Sequence, residues 1–355
     1  MLISEVVNTK SIALSTTNAA SNDIPYLGLQ FFPETKKAGL DLKWIKTSSG
    51  LPVSLAPSNF DSLPILRARD GIDIQKTQMA FFREEMDMDE TLLQEIDRIN
   101  DENDPYLKTA LDSIYDDTTR LVRGAEVVPE RMRMSLLATN EGHPAINIVG
   151  KDNVTYAYNY DPNGSYAAKH YIKNQGTSAW TDKTNSKPLT DLNNAKKSLR
   201  KLGKMPAYVL MNGNTFNLLV ENEQIKSAIL SQNVTANIFI TDELVKQVIK
   251  LITGLTIIVY DKMYIDDAGT EQYFYPDKKV TLLPAGAVGK TVFGTTPEER
   301  TARQVSDVDV TVYGTGITIA TKAEYGPPYK FKTIASEIVL PSYEGMDSTY
   351  VIEVA

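Results

Sequence analysis

The 355-residue sequence contains no cysteine. That absence excludes disulfides, thiolate nucleophiles and zinc–sulfur sites together, and it suits a chain made and assembled in cytoplasm. Histidine is nearly as scarce, with only His143 and His170. Neither has a cluster of Asp or Glu beside it at ligand spacing, so both read as surface or half-buried polar residues rather than a metal site. No G-x-S-x-G elbow is present to hold a nucleophile. No stretch approaches the ~18–20 apolar residues of a membrane span. The start, MLISEVVNTKSIALSTTN, has Lys10 as its one cation and no apolar segment leading to a cleavage site, so it is not a signal peptide. Positive charge is also short: 37 Lys and Arg stand against 45 Asp and Glu, a net charge of −8. Proteins that read DNA through phosphates carry a basic face. A chain with this balance surrounds nucleic acid rather than gripping it.

Three near-motifs fail on their chemistry. In PAGAVGKTVFG (284–294), Gly289-Lys290-Thr291 supplies the end of a phosphate loop, but Pro284 stands where the first glycine belongs. Proline lacks the N–H donor and the dihedral freedom that a phosphate cradle needs, so a strand-connecting turn is expected. Asp97, Asp101, Glu102 and Asp104 lack the alternation of a calcium loop and read as a solvated helix end. KKSLRKLGK (196–204) carries five cations and reads as a solvated helix face. No catalytic group, metal site or cofactor is expected.

What is present is architecture. Residues 1–38 are rich in Ser, Thr and Asn, without sustained periodicity, and read as an extended arm anchored by Tyr26, Phe31 and Phe32. GLDLKWIKTSSGLPVSLAPSNF (39–60) reads as a β-hairpin with a polar tip at Thr47–Gly50. Leu40, Leu42 and Trp44 alternate on one strand, and Leu51, Val53 and Leu55 on the returning strand. Ile72 and Ile74 suggest a further strand. Helical spacing begins at Asp87 and resumes after Asp104-Pro105, where Leu107, Leu111, Ile114, Thr118, Leu121 and Val122 form one stripe. Pro129 either kinks this helix or starts a new one. Together these signals predict a bent strut of roughly 35 residues, ~50 Å long. From 141 to about 300, strands and helices alternate, as in an α/β or α+β module with a central sheet. The last 50 residues return to β-alternation, with Val308, Val310 and Val312 the clearest case.

Four strings occur in order along the chain: LDLKWIKTSSGLPVSLAPSNFDS, FFREEMDMDE, RLVRGAEVVPERMRMSLLATN and IVLPSYEGMDSTYVIEV. They resemble the lambda-type major capsid proteins of tailed bacteriophages, the capsid protein E family. The resemblance implies an α+β chain with the HK97-type major capsid fold. Residues 1–38 would be its N-terminal arm, 39–84 its extended loop (E-loop), and 85–140 the peripheral domain with a spine helix. Residues 141–304 would be the axial domain, and 305–355 would add the peripheral β-strands. The implied function is a major capsid protein that self-assembles into pentamers and hexamers of an icosahedral head around double-stranded DNA, without sequence-specific binding. No catalytic residue is implied. Leu40, Leu42, Trp44, Leu51, Val53 and Leu55 would contact the neighbouring subunit. The short arm leaves no room for a built-in scaffolding segment, so a separate scaffolding protein is expected. A portal protein and a decoration protein complete the implied partners, with no membrane involved. The virion would be the final location, after assembly in the host cytoplasm. An encapsulin-like shell of the same fold, and a cytoplasmic α/β enzyme built on 141–300, are the rival readings.

Overall fold

One helix, Tyr106–Ala138, organises the subunit. The computed structural model describes residues 8–18, 24–46, 73–88, 106–150, 155–232, 240–266, 268–301, 309–324 and 330–355, with single residues 90, 94 and 326. The helix has 33 residues and so spans about 50 Å. Pro129 lies inside it without ending it; the missing N–H leaves one turn of the ladder a bond short, a loss that packing on both sides offsets. Val122, Met132, Met134, Leu136 and Leu137 are buried, and from residue 129 onward burial extends around nearly the whole helix. Upstream, the expected helix start at Asp87 gives way to strand: Ala80–Met88 is one continuous β-strand, with Asp87 opposite Lys332 and Met88 opposite Phe331. Lys330 and Lys332 attract Asp87 and Glu85 across the ladder, a cross-strand pairing that local helical spacing does not reveal.

Two sheets flank this helix. The larger has six strands and is built on Lys330–Ser342. One edge of that long strand pairs with Ala80–Met88; the other pairs with Ile317–Glu324, which in turn holds Asp309–Tyr313, and then, from Val339 onward, with Lys290–Phe293. Glu34–Lys36 adds a parallel edge beside Lys290–Phe293. The five-stranded sheet runs in the order Tyr171–Lys173, Tyr350–Glu353, Lys279–Pro284, Pro206–Met211 and Thr256–Val259. Segments on either side of residue 304 therefore interleave: Lys290–Phe293 enters the six-stranded sheet and Tyr350–Glu353 the five-stranded one.

Around the five-stranded sheet pack Pro188–Lys201, Glu223–Gln232 and Asp242–Thr253, closing a core that contains Trp180, Leu192, Val209, Ile249 and Ile352. Local chemistry sets these helices. Thr241 caps Asp242–Thr253 with acids in the first turn, and Gly254, at φ 71°, ends it in the left-handed conformation that glycine tolerates. A second core, between the long helix and the six-stranded sheet, gathers Phe31, Phe32, Leu42, Met132, Tyr160 and Ile338.

The N-terminal residues depart from the expected extended arm. Thr9–Asn18 is a helix, packed through Ile12 against Val122, Ile319 and Phe331. Asp309 holds its start: that carboxylate accepts from the Thr9 backbone N–H at 2.9 Å and from its hydroxyl at 2.7 Å. The start also has a local cap: Asn8 Oδ1 accepts from the Ser11 N–H at 2.9 Å and Ser11 Oγ from the Asn8 N–H at 3.2 Å. The Asp309 contact, 300 residues away, is the part without a local signature. Gly28–Phe31 then makes one further helical turn before the strand Glu34–Lys36.

Candidate subunit interface

The ribbon root starts at Asp41–Lys46, whose antiparallel partner is Asp73–Gln78, with Asp41 opposite Gln78 and Trp44 opposite Gln75. The tight return expected at residues 51–55 is thus not the pairing that forms the described ribbon. Asp73–Gln78 is the further strand that Ile72 and Ile74 suggest; with Ile74 as its one large apolar residue, its alternation does not reveal its partner. Leu51, Val53 and Leu55 lie outside the described residues. Of the other three candidates, Leu40 is 45% exposed. Leu42, at 2%, packs into the subunit's own core. Trp44 is half-buried and stacks on Tyr160 of the same chain, ring centroids 5.3 Å apart and planes 29° apart.

Tyr160 is the last of three alternating tyrosines that clamp this root. Tyr156 and Tyr158 lie on the second strand of the hairpin Ala145–Val149 and Thr155–Asn159, and Tyr160 follows it. Tyr156 donates to the Phe81 carbonyl at 3.3 Å, Tyr158 to the Gln78 carbonyl at 3.0 Å, and Tyr160 to the Pro341 carbonyl at 2.5 Å. Burial drives the Tyr158 hydroxyl up to about 12 and Tyr160 well above its ordinary value, so both remain donors at any physiological pH. The period of two in VTYAYNY was legible as a strand; its role as a clamp was not.

Beneath the ribbon lies a buried ionic junction that sequence reasoning missed. Arg133 donates from Nε to Thr291 Oγ1 at 2.8 Å, from Nη2 to Glu34 at 2.8 Å, and from Nη1 to Glu130 at 3.3 Å. Glu130 also accepts from the Gly28 backbone N–H at 2.9 Å and from the Tyr260 hydroxyl at 2.8 Å. Arm, long helix, six-stranded sheet and the strand leaving the five-stranded sheet therefore share one network. Glu337 is fully buried beside it, and neither carboxylate oxygen has a hydrogen-bond partner. Burial pushes its carboxyl well above the ordinary range, with Arg133 opposing and Glu34 and Glu126 reinforcing. The spacing Glu130–Arg133 was visible, but an (i, i+3) pair on a helix ordinarily signals a solvated face.

The remaining sequence candidates take plain positions. His170, expected at or near the surface, is buried instead: its Nδ1 lies 3.0 Å from the Thr349 carbonyl and its ring stacks on Tyr166. His143 is half-buried. Residues before Lys290–Phe293 form a turn, with the Gly289 N–H donating to the Phe31 carbonyl at 3.2 Å. KKSLRKLGK begins on the helix Pro188–Lys201, and Lys196 caps the Thr253 carbonyl of the adjacent helix. Among the described residues, no group of three or more Asp, Glu or His could hold a metal ion, and no helix is long and apolar enough to cross a membrane.

A ribbon clamped at its root, a strut-like helix, and two sheets sharing a polar junction are construction rather than catalysis. The sequence matches the family described as phage major capsid protein E over residues 11–316. The chain belongs to that family. It is a capsid shell protein, not an enzyme, with the virion as its place. Its fold is the HK97-type α+β fold. The structure is similar to a putative prophage capsid protein from Escherichia coli CFT073, at 15% identity, covering 98% of this chain and 99% of that one, with a TM-score of 0.60. A phage-related protein from Bordetella bronchiseptica is similar at 13% identity, with 98% of both chains covered and a TM-score of 0.56. A chain of the capsid asymmetric unit of cyanophage A-1(L) is similar at 12% identity, with 99% of both covered and a TM-score of 0.50. No curated protein matches the sequence. Capsid proteins of this kind act as self-oligomers, so the site of interest is the surface that one copy offers another.

Proposed function

We propose that the chain forms pentamers and hexamers of an icosahedral phage head enclosing double-stranded DNA. The observation that carries this reading is the clamped ribbon root: two tyrosine hydroxyls bond ribbon carbonyls within the same subunit and Trp44 stacks on a third tyrosine that is bonded to Pro341, while Leu40 at its margin stays exposed. A rigid base with an apolar margin suits a lever that reaches a neighbour. In this reading 39–84 is the E-loop, and Leu51, Val53 and Leu55 join Leu40 and the exposed part of Trp44 in the inter-subunit contact. Helix 106–138 and the six-stranded sheet make the peripheral domain, and the five-stranded sheet with its helices makes the axial domain. Burial of one Leu or Val is worth about 1.5–3 kcal/mol before ordering costs. Each contact is therefore weak alone and strong when repeated around a closed shell.

Assembly runs in the host cytoplasm with a separate scaffolding protein, a portal protein at one vertex and an optional decoration protein outside. The net charge of −8 supports a container that does not hold DNA tightly, since strong attraction would oppose ejection. Negative-stain microscopy of the chain expressed with a scaffolding protein tests the reading. Closed shells or capsomers support it; a small monodisperse oligomer under all assembly conditions overturns it.

A further inference from the structure

An open groove of about 370 Å³ lies at the root of the ribbon. Lys36, Lys37, Lys43 and Lys290 line it, over an apolar floor that includes Leu42 and Trp44. Glu344 is the one carboxylate in the lining. Lys36 is satisfied by Glu299 at 2.7 Å. Lys37, Lys43 and Lys290 are exposed and have no carboxylate partner among the described residues. Three lysines without a carboxylate partner among the described residues, lining one groove beside Leu42 and Trp44 in a protein of net charge −8, call for an acidic and partly apolar occupant.

The same chain contains one. Residues 89–104, DETLLQEIDRINDEND, carry seven acidic side chains and one arginine, a net −6 of the chain's −8. Leu92, Leu93, Ile96 and Ile99 are interleaved with the acids. We propose that this groove docks the acidic segment 89–104 of a second copy of the chain. The inference rests on the shell assembly of the chain and names the partner of its ribbon root.

Reach argues for a second copy over the segment's own subunit. Met88, just before the segment, pairs with Phe331, whereas Lys290 of the groove pairs with Ser342 at the other end of the same strand. Eleven residues of strand separate these points, about 36 Å. Tyr106, just after the segment, lies about 40 Å of helix from Arg133, which bonds Thr291 next to the groove. A backbone path out to the groove and back needs about 75 Å, against about 60 Å for the intervening residues fully extended. Glu90 and Gln94 are helical, which shortens the reach further. A neighbouring subunit has no such tether.

The test mixes unlabelled and heavy-nitrogen-labelled full-length chain in equal amounts, assembles them, and applies a zero-length carbodiimide crosslinker. Mass spectrometry then reads which lysines join which carboxylates. The expected result is Lys37, Lys43 or Lys290 joined to acids of 89–104, with about half of the linked pairs isotopically mixed, as random placement of copies requires. Lys43→Glu with Lys290→Glu abolishes those links. Links confined to one isotope, links to acids elsewhere, or lysines shielded only when DNA is packaged each overturn the docking. Microscopy of the same sample separates the two ideas: particles without mixed links refute this groove alone, and an absence of any assembled form refutes the shell reading as well.

Discussion

Trp44 stacks on Tyr160 of its own chain, with ring centroids 5.3 Å apart, and Tyr160 is in turn bonded through its hydroxyl to the Pro341 carbonyl. The ribbon is thus anchored before it reaches any neighbour. An aromatic pair of this kind contributes about 0.5–1.5 kcal/mol beyond its area burial. Trp44→Ala is expected to leave a folded subunit destabilised by about 1–3 kcal/mol, with its ribbon less fixed and its assembly slower. Leu42→Asp, which buries a charge in the core, is expected to prevent folding. Thermal melts read by circular dichroism, beside light-scattering assembly curves, distinguish the two.

The junction around Arg133 makes a second prediction. Arg133→Met leaves Glu130 buried without its cation, and removing one partner of a buried pair costs about 3–5 kcal/mol. Arg133→Met combined with Glu130→Met removes both charges and is expected to cost less than Arg133→Met alone, although the Gly28 and Tyr260 donors then lose their acceptor. Denaturant titration of the three proteins measures the coupling. Equal losses in the single and double variants would show that the ion pair is not what holds the junction.

Glu337 sets a pH dependence. Its carboxyl is raised well above the ordinary 4.5 by burial, so the folded chain holds a proton that the unfolded chain releases. Folding then binds protons, and stability falls as pH rises from about 4.5 toward the folded value. Glu337→Gln mimics the protonated form. It is expected to leave stability near pH 4 unchanged and to raise the melting temperature increasingly between pH 5 and 8. The difference between variant and parent isolates this group from other titrations. A difference that stays flat with pH contradicts the assignment.

Asp309 gives the fourth. Asp309→Ala removes both bonds to Thr9 while leaving the Asn8 cap in place, and is expected to cost about 1 kcal/mol. The visible consequence is local: limited proteolysis should cleave within residues 9–18 sooner, while the helix 106–138 remains protected. Unchanged cleavage would mean that the Asn8 cap and Ile12 packing secure this helix without Asp309.

Legibility in the sequence followed the range of the interactions. Helix 106–138 and strands 206–211 and 279–284 announce themselves through local period and apolar content. The helix 9–18 does not: its local cap is only the Asn8–Ser11 pair, and the rest of its support comes from Asp309 and the distant side chains around Ile12. The pairing of strand 41–46 with 73–78 was not foreseen: Leu51, Val53 and Leu55, which lie outside the described residues, carry the stronger apolar alternation, and Ile72 and Ile74 signal a strand without naming its partner. Arg133, Glu130 and Glu337 read as surface charges until the strands at 34–36 and 330–342 are laid over them. Charge alone did not show the lysine groove either, since Lys36 and Lys43 come from different strands than Lys290.

The central claim is that copies of this chain build a closed shell in which the ribbon of each subunit lies on the next. An electron cryomicroscopy reconstruction of particles assembled with a scaffolding protein tests it most directly. The account predicts an icosahedral shell with residues 39–84 extended over a neighbouring subunit and Trp44 still stacked on Tyr160 of its own. A ribbon folded wholly against its own subunit, or particles without pentamers and hexamers, would contradict it.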